Sequence, residues 1–175
     1  MSSRAQIIDN YFRSKNSFPW VRYRNVGQKI IEEANRAELP LALACALVEQ
    51  ESGGKNIFGC DWGSRWARTP PFCNVKVTRL KVFRLLRNIS GGGGANGVGL
   101  TQLTYPPYVR QARKIGGAHK PRYQLRVGFD ILKGHIRNLG ELRGIGAYNG
   151  GPSNPIMSYA NEVQHKRAGW RRRLP

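Results

Sequence analysis

Glu51 is the residue whose position in this chain points most directly to chemistry. It follows a strongly apolar run from Leu39 to Val48 and stands immediately before Ser52-Gly53-Gly54. At the end of a buried helix, burial and the negative end of the helix dipole both disfavour a charged carboxylate, so we expect Glu51 to hold its proton unusually well. A carboxylic acid that stays protonated near neutral pH can protonate the bridging oxygen of an acetal between sugars.

Asp61 is the candidate for a second functional carboxylate. The chain has only ten Asp and Glu residues. Most of the others, such as Glu33, fall on polar helix faces or near helix ends, where we expect them to be solvated. Asp61 lies in Gly59-Cys60-Asp61-Trp62-Gly63, a segment flexible enough to face the end of the helix that carries Glu51. The alternative is a turn residue that bonds its own backbone. Glu49 points to a different side of the helix from Glu51.

The composition fits one strongly basic domain. The 175 residues are 40% hydrophobic, which is enough for a single core. The 29 Lys and Arg give a formal net charge of +19, which predicts a polyanionic partner such as nucleic acid, an anionic membrane surface or an acidic cell wall. No stretch reaches the roughly 18 apolar residues of a membrane span, and the segment from Met1 to Trp20 lacks the apolar centre of a secretory signal.

The cysteines, histidines and glycines predict neither a metal site nor a cofactor. Cys45 falls in the apolar helix as a small core residue, and Cys60 and Cys73 bracket a loop, where pairing is left open. The three histidines are scattered, without the close spacing of metal ligands. The run 92–97 matches the dinucleotide pattern GxGxxG, but it follows a helical pattern rather than a strand. We interpret that run as a loop at the edge of a cleft.

Apolar periodicity predicts a mainly α, single-domain fold. The segment 41–52, which follows Pro40, is apolar nearly all round, so we expect it to be the buried central helix. A small β hairpin within 57–75 is the most β structure that the pattern allows. We expect a basic lead-in over 1–24, the domain over 25–164 and a basic tail over 165–175. The other predicted helices are about 25–37, 79–89, 106–115, 125–139, 140–148 and 155–166.

Three short motifs resemble those of soluble lytic transglycosylases and goose-type lysozymes. They occur in the family's order within 28–163, although Thr101 stands where the family usually has Met. The resemblance implies a lysozyme-like α fold with a long sugar-binding cleft. It also implies cleavage of the β-1,4 bond between N-acetylmuramic acid and N-acetylglucosamine in peptidoglycan. The motifs are Glu51-Ser52-Gly53-Gly54, Gly97-Val98-Gly99-Leu100-Thr101-Gln102 and Ala147-Tyr148-Asn149-Gly150-Gly151-Pro152.

The resemblance implies a role for each matching residue. Glu51 would be the general acid that protonates the leaving oxygen, and Tyr148 would orient it through its hydroxyl. Ser52 would help to position Glu51 or the sugar. The residues that we expect to bind substrate are Ser52, Leu100, Gln102, Tyr148 and Asn149, with the backbone around Leu100 and the side chain of Gln102 at the N-acetyl groups.

Asp61 decides the reaction under this resemblance. Goose-type lysozymes use a second carboxylate to hold the attacking water, and inverting hydrolysis needs the two carboxyl groups about 6.5–9.5 Å apart. A lytic transglycosylase needs only Glu51, because the muramic 6-hydroxyl attacks its own anomeric carbon and yields a 1,6-anhydro product. We favour hydrolysis and keep transglycosylation as the alternative. The long interval from Asp61 to Gly99 predicts an inserted loop and helix at one end of the cleft.

The positive charge fits peptidoglycan and other anionic wall polymers as the partner of a monomeric enzyme. The tail over 166–173, which mixes basic residues with Trp170, could contact wall polymer or an anionic membrane, or could be solvated.

We expect a phage endolysin, made in the host cytoplasm and released to the wall when a holin opens the membrane; a wall-cutting domain of a larger protein fits equally. The rivals are a non-catalytic nucleic-acid-binding protein, suggested by the charge with Trp20 and Tyr23, and a wall-binding module without catalysis.

Overall fold

Helices dominate the computed structural model, which describes residues 3–15, 25–60 and 72–175. Of these residues 69% are helical, in eight α-helices and one short 3₁₀ turn, which confirms the mainly α prediction. β structure in the described part is confined to isolated antiparallel bridges, such as Phe58 with Val98. The helices are α1 (Ser3–Ser14), α2 (Val26–Arg36), α3 (Leu41–Ser52), α4 (Arg79–Ser90), α5 (Pro106–Lys114), α6 (Pro121–Leu139), α7 (Glu141–Gly150) and α8 (Met157–Arg173), with the 3₁₀ turn Gly99–Thr101 between α4 and α5.

Helix α3 is the buried centre of the fold, with the bounds that its composition predicts. Pro40 precedes its first turn, and Gly53 ends it in a left-handed conformation with φ 59°, where its N–H donates to the carbonyl of Glu49. The residues from Leu43 to Val48 are fully buried. Helix α8 packs along α3, and α2 also contacts it. A helix that is apolar on every side needs such neighbours all round, and this arrangement carries Glu51 to one end of the core.

Two hydrophobic cores divide the described residues into two lobes. The larger core surrounds α3 and contains residues of α1, α2, α6, α7 and α8. The smaller core lies beneath α4 and α5, and we call residues 72–98 and 103–120 the second lobe. Helix α6 belongs to both cores, since Leu125, Phe129 and Leu132 face the larger and Val127 faces the smaller. Helix α6 begins at Pro121, four residues before the predicted start, and it joins the two lobes.

The amino-terminal part of the chain differs from the predicted lead-in. Residues 3–14 form α1, which buries Ile8 and Phe12 in the larger core. The carboxylate of Asp9 accepts a hydrogen bond of 2.8 Å from the backbone N–H of Gly27, at the start of α2. A Cβ at Gly27 would lie 2.3 Å from the carbonyl oxygen of Ala5, so glycine permits the close approach of the two helices. Helix α1 is therefore part of the domain.

The carboxyl-terminal tail is also part of the domain rather than a separate extension. Helix α8 runs on to Arg173, and Trp170 is completely buried. The Trp170 ring packs against Tyr11 at 4.5 Å and Phe12 at 5.5 Å between ring centroids. The predicted boundary at 165 was wrong because the surface that covers Trp170 comes from α1, at the opposite end of the sequence. None of the helices in the described ranges is both long and apolar enough to span a bilayer.

A buried carboxylate joins α2 to α6. The side chain of Glu33 is only 1% exposed, although its position predicted a solvated residue. It accepts hydrogen bonds from Arg36 at 2.7 Å, Arg122 at 2.9 Å and Arg126 at 2.9 Å. Burial alone would raise the pKa of Glu33, but the hydrogen bonds from the three arginines outweigh burial and lower the pKa below its usual value.

Candidate active site

Glu51 opens onto a cleft of about 980 Å³ between the two lobes. Its walls are rich in amide, hydroxyl and aromatic groups, and Glu51 is the one acidic side chain among the described residues that line it. The lining comes from the ends of α3 and α7, from α6, from the start of α8 and the loop before it, and from residues 57, 59, 60, 74, 102–105 and 108. The polar and aromatic side chains that line the cleft include Gln50, Asn74, Gln102, Tyr105, Tyr108, His135, Tyr148, Asn149 and Tyr159.

The Glu51 carboxyl group is held by a tyrosine that the sequence analysis did not select. Glu51 lies one residue before the end of α3 and is partly buried. The hydroxyl of Tyr159, in the first turn of α8, donates a short hydrogen bond to Oε1 of Glu51. Burial raises the pKa of Tyr159 far above its usual value, and the charge of Glu51 and this hydrogen bond raise it further. Tyr159 is therefore a permanent donor to the carboxylate.

Tyr148 occupies a different place from the one that the resemblance implied. Its hydroxyl donates to the backbone carbonyl of Thr101 at 2.7 Å rather than to Glu51. The Tyr148 side chain nonetheless lines the cleft. Burial and then the nearby charge of Glu51 raise the pKa of Tyr148 well above its usual value. Tyr148 therefore fixes the 3₁₀ turn that packs against the end of α3, and Tyr159 contacts the carboxylate itself.

Ser52 and Leu100 support the site from behind rather than from its surface. Both residues are buried. The hydroxyl of Ser52 donates to the carbonyl of Leu100 at 2.9 Å and to that of Val48 at 3.2 Å. The N–H of Leu100 donates to the side chain of Gln124 at 3.0 Å. With both backbone groups of Leu100 engaged inside the protein, the predicted binding of substrate by the Leu100 backbone gives way to a positioning role, which ties α3 to the 3₁₀ turn.

Gln102 and Asn149 lie at the cleft as predicted. Gln102 has a left-handed backbone, with φ 44°, which is strained for a residue with a side chain. Its Nε2 donates to the carbonyls of Gly99 at 2.7 Å and Ile57 at 3.2 Å, and these bonds hold the side chain at the cleft wall. Asn149 is exposed near the end of α7, beside the rim formed by residues 150–154. Both amides are placed to bind a ligand in the cleft.

Gln124 is a buried residue behind the site that sequence reasoning missed. Its Oε1 accepts from Leu100, and its Nε2 donates to Asn56 and to the carbonyl of Ala118, each at 2.8 Å. A Cβ at Gly99, where φ is 74°, would lie 1.9 Å from Oε1 of Gln124. Gln124 therefore determines the path of the 3₁₀ turn. No sequence signal marks it, because a single Gln before an apolar run is ordinary.

Thr101 lies inside the protein rather than on the cleft wall, where the resemblance put it. It is completely buried, and its Oγ1 donates to the carbonyl of Gln124 at 2.8 Å. A Cβ at Gly128 of α6 would lie 2.6 Å from the Cβ of Thr101. Thr101 and the missing side chain of Gly128 thus fit each other closely.

Asp61 lies in 61–71, outside the described residues, so its predicted role as the second carboxylate stays a prediction. The two ends of this segment are fixed. Cys60 and Cys73 form a disulfide, the pairing that the sequence left open, with their Cα atoms 4.6 Å apart. The buried side chain of Asn96 donates to the carbonyls of Gly59 and Phe72. Cys60, the residue immediately before this segment, lines the cleft.

The chain matches no protein-family model, no curated protein and no solved structure. The geometry of the site combines one carboxyl group at the end of a buried helix, a tyrosine that holds it, and a large polar cleft. Together these features define a candidate acid–base site for an extended polar ligand.

Proposed function

We propose that this protein is a peptidoglycan-degrading glycosidase, a muramidase with Glu51 as its general acid. It would cleave the β-1,4 bond between N-acetylmuramic acid and N-acetylglucosamine and so lyse bacteria. The observation that carries the proposal is the Glu51 carboxyl group, held by Tyr159 and open to a cleft of about 980 Å³. Each of the three motifs that suggested the family has a residue at this cleft, namely Glu51, Gln102 and Asn149.

The contacts of Glu51 support an acid role. A general acid must keep one orientation while the proton passes to the leaving oxygen. The hydrogen bond from Tyr159 restricts the carboxyl group, and the buried packing of α3 restricts the helix that carries it. Because the pKa of Tyr159 is raised far above its usual value, that hydroxyl neither competes for the transferred proton nor loses its own.

The size and lining of the cleft support an oligosaccharide as the ligand. Its volume is near the upper end of the range of about 300–1,000 Å³ for small-molecule sites, which favours several sugar units over one. Amide side chains such as Gln102 and Asn149 can bond hydroxyl and N-acetyl groups. Burial lowers the pKa of His135, so this cleft residue is neutral near pH 7 and can also bond a sugar. The net charge of +19 suits an anionic wall.

Hydrolysis is the reaction that we propose, and it depends on Asp61 as the holder of the attacking water. The alternative is a lytic transglycosylase in which Glu51 acts as sole acid and base. The alternative has one observation in its favour, since no other acidic residue of the described ranges lines the cleft. In either case the setting would be an endolysin, or a wall-cutting domain of a larger protein, acting on the bacterial wall.

The test is digestion of purified peptidoglycan followed by mass spectrometry. Muropeptides with reducing ends mean hydrolysis, and products lighter by one water mean anhydro chemistry. Glu51→Gln should lower the rate by about 10²–10⁴-fold, the usual contribution of a general acid, and leave the fold intact. The matched control is Glu32→Gln, at an exposed position on α2, which should cut the wall like the parent.

Two outcomes would overturn the proposal. Glu51→Gln could digest the wall at the parent rate, or the folded parent protein could release no sugar fragments. Salt-sensitive DNA binding that Glu51→Gln leaves unchanged, without any digestion, would favour the nucleic-acid-binding rival. Wall binding without release of fragments would favour the non-catalytic wall-binding module.

A further inference from the structure

The outer face of α4 carries two apolar and two basic side chains that no part of the described protein covers. Leu80 is 57% exposed and Phe83 is 49% exposed. Leu80, Phe83, Arg84 and Arg87 are spaced i, i+3, i+4 and i+7, so they share one side of the helix. We call these four residues the outer face of α4. The opposite side of the helix packs into the smaller core.

This exposure stands out against the rest of the surface. Leu80 and Phe83 are the two most exposed large hydrophobic residues in the described ranges. Single exposed apolar residues are common on proteins, but an adjacent Leu and Phe on one helical turn form a patch. The guanidinium of Arg87 lies 6.0 Å from the centre of the Phe83 ring, which keeps a positive charge directly beside the apolar surface.

The second lobe, which carries this patch, has charged side chains of one sign. Residues 72–129 contain no Asp or Glu, so all ten acidic residues of the chain lie elsewhere. The second lobe alone carries nine Lys and Arg. The apolar patch therefore projects from a uniformly positive lobe, which attracts an anionic surface and has no acidic side chain of its own to repel one.

We propose that the outer face of α4 docks on an anionic lipid bilayer. Such a surface has phosphate headgroups for Arg84 and Arg87 and, just beneath them, hydrocarbon for Leu80 and Phe83. A soluble polyanion such as nucleic acid matches the arginines and the Phe83 ring, which can stack on a base, but it leaves Leu80 without a partner, since Leu80 has neither a ring nor a charge. The combination on one helical face thus favours a lipid over a soluble polyanion.

The structure also changes which part of the chain contacts lipid. The sequence offered an anionic membrane as one possible contact of the basic tail that contains Trp170. Trp170 is completely buried against α1 and cannot insert into a bilayer without unfolding the end of α8. Lipid docking by the outer face of α4 involves neither Glu51 nor the cleft, so it can be tested independently of the proposed glycosidase activity.

The test is co-sedimentation of the full chain with vesicles of phosphatidylcholine and phosphatidylglycerol in equal parts, and with vesicles of phosphatidylcholine alone. We expect binding to the anionic vesicles only. The double variant L80S/F83S should bind them at least about tenfold more weakly, because two apolar side chains no longer enter the bilayer. The matched control L142S/M157S changes two exposed apolar residues elsewhere and should bind like the parent.

A second pair of variants separates lipid docking from simple attraction of charge. Arg84→Gln with Arg87→Gln should weaken vesicle binding more than Arg171→Gln with Arg172→Gln, at the exposed end of α8. The proposal is overturned by absence of vesicle binding, by parent-like binding of L80S/F83S, or by a larger loss from the α8 pair. Loss through the arginines of α4 without any loss from L80S/F83S would mean a soluble polyanion as partner, and this also overturns the proposal.

Discussion

Glu49 and Glu51 are two carboxylates on the last turns of one helix, and their surroundings give them different uses. Glu49 accepts hydrogen bonds from the hydroxyl of Tyr11 at 2.6 Å and from the indole of Trp170 at 2.8 Å. Glu51 accepts one from Tyr159 and opens on the cleft. Both carboxylates are thus held by aromatic donors, and what separates them is the side of α3 from which they project.

Glu49 is enclosed by the two ends of the chain. Tyr11 comes from α1 and Trp170 from α8, and their rings pack edge to face against each other. Burial raises the pKa of Tyr11 to about 12, and the hydrogen bond to Glu49 adds to the effect, so Tyr11 stays a donor. A hydrogen bond to a carboxylate near a helix end is therefore no evidence of catalysis by itself. Access to a cleft is the feature that distinguishes Glu51 from Glu49.

The largest expected effect that tests this comparison is on stability. Glu49→Ala should lower the free energy of unfolding by about 3 kcal/mol, because the donors of Tyr11 and Trp170 lose a charged acceptor. Under conditions in which the variant remains folded, its rate of peptidoglycan digestion should be within about twofold of the parent rate. Chemical denaturation and a digestion assay measure the two quantities. A large loss of activity in a protein of unchanged stability would mean that Glu49 takes part in the chemistry.

A smaller effect distinguishes the two tyrosines near Glu51. Tyr159→Phe should lower kcat about tenfold or more and leave KM nearly unchanged. The reason is that Glu51 becomes a carboxylate as it gives up its proton, and a hydrogen bond to a charged group is worth roughly 1.5–3 kcal/mol. Tyr148→Phe is the matched control, since its hydroxyl bonds the carbonyl of Thr101, and its kcat should stay within about threefold of the parent. If Tyr148→Phe had the greater effect on kcat, the role that the family resemblance implied for Tyr148 would hold after all.

The sequence predicted well what depends on neighbouring residues. The bounds of α3, its burial and the position of Glu51 at its end follow from a local apolar pattern, a proline before it and glycines after it. The separate direction of Glu49 follows from helical geometry alone. Gln102 and Asn149 came from short motifs and do lie at the cleft.

What the sequence did not predict depends on contacts between distant segments. Tyr159 meets Glu51 across 108 positions, and on its own helix it resembles any apolar residue beside Ala160 and Val163. Trp170 was assigned to a tail outside the domain because the residues that cover it, on α1, lie at the other end of the chain. Helix packing determines which of these distant residues come into contact, and apolar periodicity along the sequence does not reveal that packing.

Glu33 is a third carboxylate in this comparison, with a purely structural place among three arginines. The effect expected from changing it is the smallest. The pKa of Glu33 in the folded protein lies below its usual value of about 4.5. The contribution of this carboxylate to stability is therefore fully present above about pH 4.5. As the pH falls from there, the unfolded chain takes up a proton that the folded protein does not. The free energy of unfolding then decreases, by at most about 1.4 kcal/mol per pH unit, until the lowered folded pKa is passed.

Denaturation between pH 7 and pH 3 checks the sign. Glu33→Gln should be less stable near pH 7, because the side chain loses the charge that its three arginine partners pair with, and should show a shallower decrease toward acid. Glu38→Gln, at a side chain that is 82% exposed, should keep the parent's acid slope. Unlike Glu51, Glu33 then affects folding and not the rate of wall digestion per folded molecule. An unchanged acid slope in Glu33→Gln would show that the arginine cluster does not stabilise the charged carboxylate.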